Sequence, residues 1–292
     1  MVNKILSQGE YNLKHLSQII GRYKNIKKIK RGGQKIVYKA VSSEDEVVAL
    51  KIIQNASDPR VLQEIDIVNK LRTNNIPRII ESGFAYDERI NDSVLYIVEQ
   101  YIEGISLRDW LSKGNKADIG FAFNLLYTLL SIEISLEKED ILHRDINPNN
   151  IIIGSEGKIY LIDFGLAKKI GGISLTRTDA LHGPFTPGYA PHEQYANIKM
   201  DQDVRTDLFQ IGVTVYEACK GKNPFIQPLD TIDQIMYRTT SIMPPMLKFN
   251  EDKKGMFAQL VNMLMSKNQS QRPDTAEDAM RYLMVVKGTI EL

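Results

Sequence analysis

The octapeptide HRDINPNN, His143 to Asn150, sets an acid and an amide five residues apart, and a second acid, Asp163, follows in LIDFG. Asn150 and Asp163 each stand at the end of an apolar, strand-like run. Oxygen donors of this kind, one or two to a site, suit Mg²⁺, which completes its shell with waters and substrate phosphates. Asp145, on the loop before them, is placed to accept a proton from a hydroxyl nucleophile. Phosphoryl transfer calls for such a set, because the protein has little covalent work to do and must chiefly hold charge in position. Taken singly, Asp145 and Asn150 also fit the turn-capping roles that Asp and Asn often fill.

Elements to position these residues are legible on either side. YKNIKKIKRGGQKIVYKAV and EVVALKII are β-branched runs of strand length, separated by a Gly-Gly turn and by the polar SSEDE, a hairpin signal. VLQEIDIVNKL switches to helical spacing, with Leu62, Ile65, Val68 and Leu71 on one face, and Pro77 is expected to stop it. IPRIIESGF and SVLYIVEQYI read as two more strands. From SLRDWL onward the pattern is mainly helical, in FAFNLLYTLLSIEISLEKE, DLFQIGVTVYEACKG, MFAQLVNMLM and AEDAMRYLMVV. A compact strand pair, NIIIG and KIYLID joined by SEGK, lies between the first two of these helices. The composition changes near Tyr101 to Leu107, which divides a β-rich part from a helical one, and a short leader helix is expected through NLKHLSQIIGR.

The chain of 292 residues is long enough for two lobes with a core each, and its 43% hydrophobic and 25% charged content is that of an ordinary soluble protein. A net charge of +1 gives no global field to gather nucleic acid or anionic membrane. Cys219 stands alone in an apolar stretch, so no intrachain disulfide forms and core filling is its expected role. No apolar run reaches the span of a bilayer, and the start mixes charge too early for a signal peptide, so a cytoplasmic protein without membrane or nucleic-acid partners is expected.

Taken together, HRDINPNN and IDFG resemble the catalytic loop and metal-binding Asp-Phe-Gly of eukaryotic-type (Hanks-type) serine/threonine protein kinases, and the likeness continues in order along the chain. Lys51 in VVALKII resembles the strand-three lysine that pairs with ATP phosphates, and Glu64 its helix C partner. TPGYAPHEQY resembles the end of the activation segment, placing Glu193 to pair with Arg272 of QRPD. TDLFQIG resembles helix F, whose Asp207 would hold the catalytic-loop backbone. The resemblance implies an α+β, bilobal fold: a small β-rich N-lobe with one helix C over about 23–101, a larger mainly helical C-lobe over about 102–285, a leader over 1–22 and a short tail over 286–292. It implies ATP in the cleft between lobes with Mg²⁺ (or Mn²⁺) on Asn150 and Asp163, and protein Ser/Thr hydroxyls as acceptors. Asp145 would be the base, Lys51 and Glu64 would fix the phosphates, Gly32, Gly33, Gln34 and Val37 would cover the nucleotide, and backbone groups around Gln100 and Ile102 would bond its adenine edge.

Four departures bear on mechanism. Lys30 and Lys35 stand where the family's first and third loop glycines usually do, leaving Gly32 and Gly33 to approach phosphate without a Cβ in the way. GGQK loops of this kind resemble those of bacterial members. Asn147 replaces the lysine that contacts the γ-phosphate in the family, so a hydrogen-bond donor remains but a charge is lost, and Asn147→Lys is expected to raise or preserve turnover. Pro191-His192-Glu193 replaces Ala-Pro-Glu, and counting back from IEG puts a carboxylate, Glu99, at the gatekeeper position, with Lys51 a candidate partner. Ser174, Thr176 and Thr178 lie in the activation segment, where the resemblance implies autophosphorylation at Thr176 or Thr178 with Arg144 clamping the phosphate, and Thr186 is expected against the catalytic loop. Two other readings stay open at this point: a nucleotide-binding pseudokinase, and a small-molecule kinase of the aminoglycoside or choline type. The latter family lacks the segment ending in Pro-Gly-Tyr and Glu.

Overall fold

A computed structural model describes residues 21–31, 35–53, 59–71, 73–87, 91–169, 185–198 and 200–290. The chain divides into two units. One consists of the described residues up to Asn69 together with Pro77–Ile102, and the other of Lys70–Ile76 and the described residues from Glu103 onward.

The first unit is built on an antiparallel sheet of β1 (Tyr23–Arg31), β2 (Lys35–Ser42), β3 (Val47–Ile53), β4 (Ile79–Asp87) and β5 (Asp92–Gln100), ordered β1-β2-β3-β5-β4. Helix α1 (Pro59–Lys70) follows β3 in the chain. Side chains alternate between the faces of a strand. Ile36, Tyr38 and Ala40 of β2, Val48, Leu50 and Ile52 of β3, and Val94 and Val98 of β5 thereby form one buried layer. The opposite face carries the polar residues of interest: Val37 lies across from Lys51, Lys51 from Ile97, and Ala49 from Glu99. On that face Ile53, Leu95 and Ile97 make a second apolar cluster, against which Ile65 of α1 packs. The β2–β3 turn is closed by Ser42, whose hydroxyl accepts from the Glu44 and Glu46 amides.

The second unit contains two small sheets and the remaining helices. Strands β6 (Gly104–Ser106), β8 (Ile151–Gly154) and β9 (Ile159–Leu161) form one antiparallel sheet, and β7 (Ile141–Leu142) pairs with β10 (Lys168–Lys169). The helices are α2 (Leu107–Ser112), α3 (Ile119–Glu137), α4 (His192–Tyr195), α5 (Val204–Lys220), α6 (Ile232–Ser241), α7 (Met256–Leu264) and α8 (Ala276–Lys287). Asp118, Asp203, Thr231 and Thr275 cap the starts of α3, α5, α6 and α8 by accepting first-turn N–H groups. Gly221, at φ 78°, closes α5 in the left-handed region that costs other residues most. Helix α5 is buried without a break from Thr206 to Cys219, against α3, α7 and α8. A helix buried on every side forms the core of its unit. Its polar residues must therefore find partners inside the protein.

Three differences from the sequence expectations stand out. Helix α1 ends at Lys70 and not at Pro77, because the chain after it joins the second unit: Asn75 donates its side-chain amide to Ile159 O at 2.8 Å and accepts from Leu161 N at 2.9 Å. Helix α3 is long and apolar enough to cross a membrane by length and composition alone, yet most of it is buried within the protein. Helices α4 and α6 escaped notice: α4 has four residues, and α6 buries only Met236 and Thr239. The expected leader helix lies, apart from Gly21 and Arg22, outside the described residues.

Candidate active site

Between β7 and β8 the chain makes a loop, His143 to Asn147, and a 3₁₀ turn, Pro148–Asn150, and side chains from α5 and α4 take up its backbone groups. The buried Asp207 carboxylate accepts from both His143 N and Arg144 N at 2.7 Å. Gln210 accepts from Ile146 N at 2.7 Å and donates to Arg144 O at 3.0 Å and to Gln194 Oε1 at 2.7 Å. Gln194 donates to Arg144 O at 2.8 Å, and Thr214 to Ile146 O at 3.2 Å. Such pairing is what allows Arg144 to hold φ 63°, a conformation few non-glycine residues adopt.

With its backbone so fixed, the loop presents Asp145. Its Oδ1 accepts from Thr186 Oγ1 at 2.5 Å and from Asn147 Nδ2 at 2.8 Å, and its Oδ2 accepts from Asn150 Nδ2 at 2.8 Å. Burial, helped by the charge of Asp163, lifts the Asp145 carboxyl to about 6, and the bonds from Thr186, Asn150 and Asn147 oppose that rise. Asn147 is spent on this task. Its Nδ2 bonds Asp145 twice, at O and Oδ1, its Oδ1 accepts from the Asn149 amide, and only 2% of the residue is exposed. The sequence reading set Asn147 where a phosphate-contacting lysine usually stands; the structure turns it inward onto Asp145.

Asp163 is brought beside this loop by the backbone, because Ile162 N donates to Asn150 O at 2.8 Å. Asp163 itself takes φ 73° and accepts from Gly165 N at 3.1 Å. Asn150 directs its NH₂ at Asp145, at O and Oδ2, which leaves its amide oxygen as the donor atom for a cation. No group of three His, Cys, Asp or Glu side chains suited to a metal occurs among the described residues. One amide oxygen and one carboxylate fit a hard divalent cation that draws its other ligands from phosphate and water.

Lower in the second unit, Arg272 NH1 lies 2.6 Å from Glu193 Oε1, with the two side chains 0% and 6% exposed. Arg272 also donates to Ser266 O and Arg205 O, so both partners of this buried pair are well supplied with bonds. The expected pairing of Glu193 with Arg272 and the expected hold of Asp207 on the loop are both present. Arg144, expected to clamp a phosphate, donates Nε to Leu166 O at 2.8 Å.

In the first unit, Lys51 Nζ lies 2.6 Å from Glu99 Oε1 and 3.5 Å from Glu64 Oε1. Lys35, at the start of β2, lies 3.4 Å from the same Glu64 oxygen. Burial raises the Glu99 carboxyl, and Lys51 pulls it back down without cancelling the rise. Gln100 N–H is committed to Arg78 O at 3.0 Å, which leaves the carbonyl of Gln100, and not its amide, for the adenine edge expected there. Val37 shares the face of Lys51. Gly32, Gly33 and Gln34, and likewise Ser174, Thr176 and Thr178, lie outside the described residues.

The family model for the protein kinase domain matches residues 23–283. The chain belongs to the protein kinase domain family. Kinases of this family use ATP and a divalent metal, and the donors at Asn150 and Asp163 accord with that. A probable serine/threonine-protein kinase of Clostridium perfringens is 25% identical over 93% of this chain and 39% of its own length. The serine/threonine-protein kinase PrkC of Bacillus subtilis is 26% identical over 89% and 40%. A probable serine/threonine-protein kinase of Dictyostelium discoideum is 30% identical over 90% and 51%. The chain thus spans about two fifths to one half of the length of these relatives.

Sequence reasoning missed Gln210 and Gln194. Gln210 could have been found as a polar residue inside the apolar run DLFQIGVTV. Gln194, in a four-residue helix, carries no comparable signal.

Proposed function

We propose that this chain is an ATP- and Mg²⁺-dependent protein kinase acting on serine and threonine hydroxyls. The observation that carries the reading is the Asp145 carboxylate, held by Thr186, Asn147 and Asn150 on a loop whose backbone is fixed by Asp207 and Gln210. Mg·ATP, when bound, would supply the γ-phosphoryl group as its β–γ phosphoanhydride bond breaks and ADP leaves, and the cation would screen the charge. Asp145 orients the acceptor hydroxyl and takes its proton, and Thr186 fixes the carboxylate rotamer in which it does so. Asn150 and Asp163 hold the cation by oxygen. Lys51 would hold the nucleotide phosphates, the Gln100 carbonyl and Ile102 amide would serve the adenine edge, Val37 would cover the nucleotide, and the sequence assigns phosphate approach to Gly32, Gly33 and Gln34. Activity is regulated by phosphate on Thr176 or Thr178.

The test is transfer of labelled γ-phosphate from Mg·ATP to the chain itself and to a generic basic protein, followed by phosphoamino-acid analysis. Acid-stable label on serine or threonine, lost in Asp163→Asn, supports the proposal. Nucleotide that raises the melting temperature with no label transferred would favour a nucleotide-binding module instead.

A further inference from the structure

In the sheet of the first unit, Ala49 pairs with Glu99 and Lys51 with Ile97, so Lys51 and Glu99 are diagonal neighbours on one face, within reach of long side chains. Lys51 donates to Glu99 Oε1 at 2.6 Å, a charge-assisted hydrogen bond, whereas its 3.5 Å separation from Glu64 is an ion pair without that bond. Glu64 in turn stands between Lys51 and Lys35. The four side chains are 4% to 17% exposed, and Ile53, Leu95 and Ile97 line the same face. A buried ion pair is a poor source of stability, since an apolar pair of like volume often does as well. What it does supply is position. Strands β3 and β5 are fixed to each other by their ladder, while Glu64 reaches Lys51 from a separate helix.

We propose that Glu99 is the principal positioning residue for Lys51, and that Glu64 is its secondary partner, shared with Lys35. This reverses the weighting that the sequence resemblance implied for Glu64, and it rests on the kinase reading only for its effect on turnover. Lys51 stays placed for phosphate through a strand-to-strand contact, even when the helix contact is loosened.

The test has two readouts on the full chain. The first is NMR titration of ¹⁵N-labelled lysine Nζ, assigned with Lys51→Met, in wild type, Glu99→Gln and Glu64→Gln; Glu64 and Glu99 face the observed ammonium, and Lys35 shares the Glu64 carboxylate. Glu99→Gln should lower the Lys51 pKa by more than Glu64→Gln does. The second is steady-state kinetics, in which Glu99→Gln should raise the KM for ATP and lower kcat/KM by about tenfold or more, and Glu64→Gln by less. Glu99→Met, apolar and of similar length, replaces Glu99→Gln in both readouts should the latter not fold. A larger pKa change or a larger kinetic loss in Glu64→Gln would overturn the proposal. Because the titration needs no catalysis, an inactive wild-type chain would defeat the kinase reading while leaving the titration to decide on Glu99.

Discussion

The Lys51 cluster of the first unit and the Asp145 loop of the second are held by different physics. Lys51 sits among full charges, Lys35, Glu64 and Glu99, at separations from 2.6 to 3.5 Å. Asp145 is held by an amide, an amide and a hydroxyl at 2.5 to 2.8 Å, on a loop whose N–H and C=O groups are matched by Asp207, Gln210, Gln194 and Thr214. Charges act over distance and share partners, so a lysine can keep its place when one carboxylate is lost. Hydrogen bonds from uncharged donors demand alignment, and the loss of one buried partner strands the other. The first arrangement should therefore degrade gradually under substitution and the second abruptly.

The largest effect is expected where the abrupt side meets the chemistry. Asp145→Asn removes the proton acceptor, and turnover should fall by about 10² or more; its new NH₂ also faces an amide donor, so a modest drop in melting temperature is expected as well. Next is Asp207→Ala, which strands two buried backbone N–H groups at once. Chemical denaturation should show a loss of about 3 kcal/mol or more, from the general cost of unmet buried donors to a charged acceptor. Asn147→Lys comes third. With Asn147 turned onto Asp145, lysine cannot make both of its bonds to that residue and to the Asn149 amide, so kcat should fall by about tenfold. An unchanged or raised kcat would restore the phosphate-contacting role that the sequence reading gave this position.

The smallest effect sharpens the comparison from the opposite direction. Glu133 of α3 is fully buried, and neither carboxyl oxygen has a hydrogen-bond partner among the described residues. Burial, then the nearby Asp207 and Glu137, raise its carboxyl well above the ordinary range. A carboxyl with a raised folded pKa binds its proton more tightly folded than unfolded, so its contribution is most favourable below the unfolded pKa and is lost as pH rises toward the folded value. Glu133→Leu should be neutral at low pH and more stable than wild type above the ordinary carboxylate range, by a margin growing on the order of 1 kcal/mol per pH unit. Denaturant melts from acid to neutral pH would read this directly, and a pH-independent difference would mean that Glu133 is paired.

Much of this arrangement was written locally in the chain. The alternation in KIVYKAVS and VVALKII sets the sheet faces, and it is this alternation that puts Lys51 and Glu99 on one side. Asp207 lies in the core of a helix with an unmistakable pattern and Asn150 directly precedes strand β8, so both were legible from their surroundings, whereas Asp145, Glu193 and Arg272 lie on a loop, in a four-residue helix and after a 3₁₀ turn, where only the motif marks them. What escaped was set by tertiary context. The end of α1 depends on Asn75 finding Ile159, which lies more than eighty positions away in the chain. The inward turn of Asn147 depends on the Asp145 carboxylate accepting from its NH₂ while its amide oxygen accepts from Asn149 N, and the preference of Lys51 for Glu99 over Glu64 is a matter of 2.6 against 3.5 Å. Residue types and spacing carry no information at that scale.

The most direct test of the account is a single-turnover comparison of wild type and Asp145→Asn, using labelled Mg·ATP and a basic protein acceptor, with both proteins shown to be folded at the assay temperature. The account predicts label on serine or threonine from wild type and a rate lower by about 10² or more in the variant. Equal rates in the two proteins would contradict the assignment of Asp145 as the group that receives the proton.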